Sequence, residues 1–260
     1  MATRSIRTIA ATRYVTPLRE GGSVPAIIEG DDDGMYVLKF RGAAQGVRTL
    51  VAELIAGEIA RALGLPIPEI VFVEVDADLA RAEPDPEIQT IIRGSGGLNI
   101  ALDYLPGSIT FDPVADQPAA DLASLIVWFD SFVTNVDRTP RNTNMLMWHR
   151  RLHLIDHGAC LYFHHSWDDY LARAGSAFPQ IRDHVLLPFA SSIAAADEVA
   201  ATRLNEEQLR AIVALVPDAW LEGESSFASP QEVRDAYSSF LIARFSQRRV
   251  FVEEAIRARA

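Results

Sequence analysis

The sequence NVDRTPRNTN at residues 135–144 is followed by two short apolar segments, 145–148 and 152–154, and then by IDHG at residues 155–158. The apolar segments flank His149-Arg150 and predict a β-hairpin with a tight turn at that dipeptide. The two ends of a hairpin lie side by side at its open end. We therefore expect Asn144 and Asp156 to lie close together, next to the polar loop that carries Asp137.

These polar residues meet the requirements of one reaction class. Phosphoryl transfer to a hydroxyl needs a carboxylate beside the accepting oxygen, and it needs oxygen ligands that fix magnesium against nucleotide phosphates. Asp137 would supply the first, and an Asn at the loop end with Asp156 would supply the second. Each aspartate also has an ordinary interpretation, because Asp is common in turns and at helix N-caps. Their joint occurrence, in this order, favours phosphoryl transfer.

The part of the chain before this loop is rich in strand patterns. Apolar alternation between turn signals predicts strands at 26–29, 35–40, 70–75, 88–93 and 99–105. One helix is predicted at Thr49–Leu63, where apolar residues recur at three- and four-residue steps and Gly64 follows. Residues 76–87 are acidic, contain two prolines and predict a surface loop. Residues 106–108, Pro-Gly-Ser, end this strand-rich region.

The rest of the chain is predominantly helical. Helices are predicted at Asp121–Thr134, Glu206–Leu215 and Pro230–Arg257 from their apolar periodicity. A strand-rich first part and a helical second part predict an α+β fold. We place the boundary between residues 1–105, an N-terminal lobe with nucleotide-binding strands and a helix, and residues 106–260, a helical C-terminal lobe with the catalytic loop and metal-binding segment.

Composition narrows the possible functions. The chain has 260 residues, 24 basic and 35 acidic, with a net charge of -11, so direct binding to a nucleic acid backbone is not expected. Its single cysteine, Cys160, excludes an intramolecular disulfide and a multi-cysteine zinc site. No apolar run approaches the roughly 18 residues that a membrane span needs. We expect a cytoplasmic protein.

The loop, the hairpin and the Asp-His-Gly segment resemble the catalytic and metal-binding segments of the HipA-like kinases, and also those of phosphatidylinositol kinases. The strand at 36–40 is similar to the one that holds the phosphate-contacting lysine, here Lys39. Glu53 matches the helix glutamate of the HipA-like family, and residues 62–66 match its run ending in Gly-Leu-Pro. Residues 104–107 look like the hinge between lobes. The resemblance extends over residues 20–165 and implies a two-lobed protein-kinase-like fold.

The resemblance also implies roles for single residues. Lys39, oriented by Glu53, would hold the α- and β-phosphates of ATP, and Asp137 would orient or deprotonate the acceptor hydroxyl. Asp156 and an asparagine would bind Mg²⁺. The family places that asparagine five residues after the catalytic aspartate, at Asn142, but Asn144 directly precedes the strand and is favoured here.

Further contacts with ATP follow from the same resemblance. Backbone groups of the hinge, at Asp103, Tyr104 and Leu105, would meet adenine. Backbone N–H groups at Gly22 and Ser23 could cover the phosphates, although an ordinary turn explains that pair as well.

Other residues leave alternatives open. Lys39 on an inward strand face is costly unless paired, with Glu53 as the predicted partner, but it could instead extend to solvent at a strand edge. Arg138 and Arg141 could contact substrate phosphate or stabilise the loop. Glu58 is expected to be solvated, and the histidines 157, 164 and 165 are expected to hydrogen-bond rather than bind metal. Related loops often have His at the position of Thr139 here.

The sequence therefore predicts an Mg-ATP-dependent phosphotransferase, a HipA-like serine/threonine kinase. The acceptor would be a hydroxyl of a protein or a small molecule, and a regulatory protein partner is possible. Two alternatives remain. One is a pseudokinase that binds nucleotide and serves as a partner-binding module, and the other is a kinase-like AMP transferase.

Overall fold

The computed structural model describes residues 5–18, 24–43 and 46–260, and its first lobe is built on a closed five-stranded barrel. The strands are β1 Thr8–Pro17, β2 Ala26–Gly30, β3 Met35–Lys39, β4 Ile70–Val75 and β5 Gly97–Asp103, paired in the order β1-β2-β3-β5-β4. The pair β1–β4 is parallel and the other described pairs are antiparallel. Alternate residues such as Ile28, Leu38 and Val71 fill the barrel, as the two-residue period of a strand requires.

The predicted helix of the first lobe is confirmed as α1, Val47–Ala62. Every residue from Leu50 to Ala60 is buried, because α1 packs against the barrel on one side and the second lobe on the other. Gly57 allows close packing, since a Cβ atom there would lie 2.4 Å from Cδ1 of Ile70. Gly64 follows the helix with a φ of 72°, a backbone conformation that glycine adopts without strain.

The prediction of a strand at 88–93 is wrong, because this segment lies in helix α2, Pro86–Gly94. The Asp85 side chain accepts a hydrogen bond from the N–H of Glu87 at 2.9 Å, and Pro86 occupies the first turn. Both are helix-start signals. The buried residues Ile88 and Ile92 are four apart, which is a helical spacing. The predicted loop before α2 also contains a short 3₁₀ helix, Ala77–Ala82.

The second lobe is helical and encloses a small sheet. Its helices are α3 Ala120–Phe132, α4 Tyr170–Ala174, α5 Ile193–Arg203, α6 Glu206–Val213, α7 Pro230–Ser246 and α8 Arg249–Arg259. The helix predicted at 230–257 is therefore two helices. The strands β6 Ile109–Thr110, β7 Met145–Trp148 and β8 Arg151–Leu154 form an antiparallel sheet. The fold is thus α+β, with a strand-rich first lobe and a helical second lobe.

The predicted hairpin is β7–β8. Its turn residues His149 and Arg150 both have positive φ, 48° and 62°, the pattern of the two-residue turn that suits twisted strands. At the open end, the Ile155 N–H donates to the Asn144 carbonyl at 3.1 Å. The hairpin thus places residues 144 and 156 side by side, as expected. Among the described residues, the structure contains no helix with the length and apolar content needed to cross a bilayer.

Candidate active site

Lys39 lies at the centre of the contacts between the two lobes. Its Nζ lies 2.5 Å from Oδ1 of Asp156 and 3.8 Å from Oε2 of Glu53. Only 5% of the lysine is exposed, so it does not extend to solvent, and both carboxylates compensate its burial. Burial alone would lower the pKa of Lys39, but Glu53, Asp156 and Asp137 outweigh it and raise the pKa. The lysine is therefore held as a cation.

Glu53 joins α1 to the segment that carries Asp156. Besides facing Lys39, it accepts a hydrogen bond from the His157 N–H at 3.0 Å, and its Oε1 lies 3.3 Å from His157 Nδ1. Burial alone would raise the pKa of Glu53, yet Lys39 and His157 lower it. Glu58, one turn further on, is buried rather than solvated and pairs with Arg61 at 3.0 Å. Glu53 is thus the glutamate that positions the lysine.

Asp137 is held by both candidate asparagines. Nδ2 of Asn142 and Nδ2 of Asn144 donate to the same atom, Oδ2 of Asp137, at 2.8 Å and 3.0 Å. Asn144 is buried and directly precedes β7, whereas Asn142 is exposed. Within the described part of the chain, neither amide oxygen accepts a hydrogen bond, and neither does Oδ1 of Asp137. These oxygens are therefore the groups available to a cation or a hydroxyl.

The turn beside Asp156 is made by the aspartate itself. Asp156 has a φ of 54° and Asn144 a φ of 47°, a conformation that is uncommon outside glycine and typical of constrained functional sites. Gly158, two residues further on, is glycine for a reason of packing. A Cβ atom there would lie 2.4 Å from Cγ2 of Thr49 on α1, so Gly158 permits the close approach of this segment to the helix.

A buried polar network around Asp130 supports the loop that carries Asp137. Oδ2 of Asp130, on α3, accepts from Nε of Arg138 at 2.7 Å and lies 2.8 Å from Nε2 of His184, while its Oδ1 accepts from Asn135 at 2.8 Å. Arg138 also donates to the Asn144 carbonyl. Burial alone would raise the pKa of Asp130, but Arg138 and His184 hold it well below its usual value. Arg138 is thus a loop-stabilising residue.

The same network replaces the support expected from a histidine in the loop. His184 reaches Asp130 from a segment 54 residues further along the chain, while Thr139 closes a tight turn with Asn142 through backbone hydrogen bonds of 3.0 Å and 3.1 Å. Sequence reasoning missed Asp130 and His184. The available signal was Asp130 itself, an aspartate within the apolar run of α3, since such a residue is rarely buried without a partner.

The start of the loop is fixed by a buried arginine of α7. Arg244 donates to the carbonyls of Ser131 and Phe132 at 2.7 Å and 2.8 Å, and to those of Ala174 and Ser176 at 3.0–3.1 Å. The first two are at the C-terminus of α3, where carbonyls lack helical partners. Burial lowers the pKa of Arg244 to about 10. It remains charged and anchors the helix end from which the loop departs.

The backbone N–H groups predicted to contact adenine differ in whether they already donate a hydrogen bond within the protein. The N–H groups of Asp103 and Tyr104 donate to the carbonyls of Glu69 and Met35 at 2.8 Å and 3.0 Å. The Leu105 N–H has no acceptor within the described ranges. Gly22 and Ser23 lie outside the described residues. Of the predicted hinge residues, Leu105 therefore offers the free donor.

The residues that would hold a divalent metal, Asp156 and Asn144, offer oxygen donors. Among the described residues, no three His, Cys, Asp or Glu side chains are grouped so as to hold an ion. His157 contacts Glu53, and His164 Nδ1 lies 2.9 Å from the Tyr237 hydroxyl, as expected of hydrogen-bonding histidines. Mg²⁺ is commonly held by one or two carboxylates plus substrate phosphates. Asp156 with Asn144 fits that donor set.

Comparison with known families decides the assignment. Residues 12–252 match the family model described as HipA-like kinase. The chain belongs to the HipA-like kinase family. It is a kinase-type phosphotransferase, as the sequence predicted, and the family match extends through α7 to the start of α8.

Solved structures similar to this HipA-like kinase share its fold across nearly its whole length. The Helicobacter pylori proinflammatory kinase CtkA is 15% identical with a TM-score of 0.55, covering 96% of this chain and 97% of that chain. The Golgi casein kinase is 11% identical with a TM-score of 0.50, covering 98% of this chain and 72% of that chain. Curated proteins give no significant sequence match. The protein-kinase-like fold is therefore confirmed for both lobes.

Two contacts tie the first lobe of this kinase to its C-terminal lobe, one from α1 and one from the barrel strands β4 and β5. Arg48 binds Glu224 through two hydrogen bonds of 2.9 Å and 2.7 Å. The Trp220 indole donates to the Leu98 carbonyl at 3.0 Å, and its ring packs on Phe72 at 5.6 Å. A bidentate pair fixes orientation as well as distance. The Arg48–Glu224 pair thus holds the helix that carries Glu53 against the second lobe.

We expect Arg48→Met to lower kcat about tenfold, because small displacements of a catalytic group are costly. The unfolding free energy should change by no more than about 1 kcal/mol, since the pair is partly exposed. Steady-state kinetics and urea unfolding measure the two effects. Arg61→Met is the matched control, because Arg61 lies on the same helix and pairs within it. Equal losses of kcat in both variants would contradict a specific role for Arg48.

Proposed function

We propose that this chain is an Mg-ATP-dependent serine/threonine protein kinase. The observation that carries the proposal is the convergence of Lys39, Glu53 and Asp156 at one end of the β7–β8 hairpin, beside Asp137 and its two asparagines. A lysine held between carboxylates, next to a carboxylate with one free oxygen, meets the needs of phosphoryl transfer. A cytoplasmic location and a protein partner that regulates the enzyme are part of the proposal.

The residues around Lys39 would hold the nucleotide. Lys39 would bind the α- and β-phosphates while Glu53 keeps it in place, and the Leu105 N–H would donate to adenine. The Asp156 side chain is 37% exposed, so its carboxylate is open towards the cleft, and with Asn144 it would bind Mg²⁺. When bound, the metal neutralises charge on the phosphates. Asn142 would hold Asp137 in place.

Asp137 would act on the acceptor. Both asparagines donate to its Oδ2, which leaves Oδ1 to accept a hydrogen bond from a serine or threonine hydroxyl. The carboxylate would orient that hydroxyl and take its proton as the oxygen bonds to the γ-phosphorus of ATP, while the bond from that phosphorus to the β,γ-bridging oxygen breaks and ADP leaves. Its backbone is fixed as well, because the Asp137 N–H donates to Oδ1 of Asn135 at 3.0 Å. Asp137 is therefore the proposed general base.

The position of the label in ATP distinguishes this proposal from its alternatives. With Mg²⁺ and a mixture of serine and threonine peptides, we expect label transfer from γ-labelled but not α-labelled ATP. Asp137→Asn should reduce transfer by about 10²–10⁴-fold, whereas Asp235→Asn, at an exposed aspartate of α7, should not. Transfer of α-label would support an AMP transferase. Bound ATP without any transfer would support a pseudokinase.

A further inference from the structure

A cavity of about 820 Å³ lies on the C-terminal lobe, beside the loop that carries Asp137. One side is formed by Thr139, Pro140 and Arg141 of this loop, and the other by Arg182, His184 and Arg259. We call it the arginine groove. Lys39, Leu105 and Asp156 do not line it, so it is separate from the residues that would bind the nucleotide.

The charge of the arginine groove is opposite to that of the protein as a whole. The chain carries a net charge of -11, yet three arginines and only one acidic residue, Asp183, line this cavity. Within the described part of the chain, Arg141 and Arg259 make no ion pair or side-chain hydrogen bond. Arg182 has one loose contact of 3.7 Å with Asp183, and both side chains are largely exposed. The groove therefore offers uncompensated positive charge to an anionic ligand.

The floor of the groove is rigid and continuous with the catalytic loop. His184 is buried and lies 2.8 Å from Asp130, which also binds Arg138 of the loop. The Val185 N–H donates to the Arg138 carbonyl at 3.1 Å. Arg141 immediately precedes Asn142, whose amide binds Asp137. A ligand in the groove would thus lie next to the carboxylate that we propose acts on the acceptor hydroxyl.

We propose that the arginine groove binds acidic side chains of the protein acceptor, close to the serine or threonine that is phosphorylated. This inference rests on the proposed function. Guanidinium groups bind carboxylates in a planar, two-pronged geometry. An extended peptide advances about 3.3 Å per residue, so a cavity of this volume has room for several side chains. The substrate class is therefore a polypeptide with glutamate or aspartate residues flanking the acceptor.

Matched peptides test this inference. A serine peptide flanked by glutamates, on either side, is compared with the same peptide carrying glutamines, using γ-labelled ATP. We expect kcat/KM to be about tenfold or more higher for the glutamate peptide than for the glutamine peptide. This ratio should fall as the salt concentration rises from about 50 to 200 mM. The double variant Arg182→Glu/Arg259→Glu should remove that preference, mainly by raising KM. Arg257→Glu is the control, because Arg257 is exposed on the same helix outside the groove.

Direct binding gives a second measurement that does not require catalysis. Fluorescence anisotropy of the labelled glutamate peptide should show binding to the wild type that the Arg182→Glu/Arg259→Glu variant weakens about tenfold. Equal phosphorylation of the glutamate and glutamine peptides, or equal binding by wild type and double variant, would overturn the inference. Magnesium-dependent ATP binding, measured on the same wild-type sample, separates the two proposals. If the wild type binds ATP in a magnesium-dependent manner, only the inference of an acidic acceptor is refuted. If it does not, the proposed function fails as well.

Discussion

The Asp156→Asn variant is expected to lose phosphotransfer activity by at least about a thousandfold. Asp156 is the carboxylate with an open face at the cleft, and its Oδ1 also contacts Lys39 at 2.5 Å. The neutral amide would remove the proposed charged ligand for Mg²⁺ and one of the two carboxylate partners of Lys39. Charge that develops on the transferred phosphoryl group would then lose stabilisation. Initial rates with saturating Mg-ATP and a peptide acceptor measure this loss.

A structural cause for that loss can be excluded with two comparisons. Because Glu53 remains as a counterion of the buried Lys39, the variant should stay folded and should lose less than the roughly 3–5 kcal/mol expected when a buried charge loses its partner. Asp137→Asn should also lose turnover but should keep magnesium-dependent ATP affinity, since the proposed role of Asp137 is to act on the acceptor. Activity of Asp156→Asn within tenfold of the wild type would contradict the metal-binding role of Asp156.

The Asp130→Asn variant is expected to lose about 3–5 kcal/mol of unfolding free energy. The carboxylate is fully buried and is the counterion of Arg138, which is also buried. The substitution keeps the shape of the side chain but leaves the guanidinium without an opposite charge, and an unpaired buried charge is among the largest single destabilising effects. Urea unfolding followed by tryptophan fluorescence measures this loss.

The control for this change is Asp121→Asn, at an exposed aspartate in the first turn of the same helix. It removes the same charge and should cost at most about 1 kcal/mol. The double variant Asp130→Asn/Arg138→Met should lose less unfolding free energy than the two single variants lose together, because neither charge is then left without its partner. Additive losses would show that Asp130 and Arg138 do not form a stabilising pair.

The same carboxylate determines a pH dependence of stability. The pKa of Asp130 is held below its ordinary value of 3.8 in the folded state. The stabilisation that ionised Asp130 gives to the folded state is therefore complete above the pKa of the unfolded state. It is lost as the pH falls through the lower pKa of the folded state. Unfolding free energy of the wild type should consequently decrease below about pH 4, and more steeply than that of Asp130→Asn.

Much of the site could be predicted because its residues lie in short, ordered motifs. The hairpin follows from two apolar segments around His149-Arg150, and it determines that Asn144 and Asp156 are neighbours. The cost of burying a lysine predicts that Lys39 has an acidic partner, and the resemblance to the HipA-like kinases selects Glu53. These predictions depended on local spacing, on charge balance or on a family motif, all of which a single sequence contains.

The residues that support the site could not be predicted in the same way. Asp130 and His184 are 54 residues apart, and Arg244 is 112 residues from Phe132, whose carbonyl it binds. Sequence spacing carries no information on such contacts, because they depend on how the helices of the second lobe pack. The arginine groove has the same origin, since it combines the catalytic loop with the end of α8.

Local ambiguity accounts for the misassigned elements. The apolar residues of α2 are few enough to suit a strand or a helix, and only the cap at Asp85 with Pro86 distinguishes them. The residue type of Gly158 suggests a turn, whereas its contact with Thr49 depends on how α1 packs. A glycine indicates that a side chain is not tolerated, but its sequence position does not say which neighbour excludes it.

Magnesium-dependent ATP binding tests most directly whether these residues form a nucleotide site. Calorimetric titration of the wild type with ATP should show binding in the presence of Mg²⁺ that weakens strongly when the metal is chelated. Asp156→Asn should lose this dependence, while Asp137→Asn should retain it. A wild-type protein that does not bind ATP with Mg²⁺, or that binds it as tightly after Asp156→Asn, would contradict the assignment of Lys39, Glu53 and Asp156 to the phosphate-binding site.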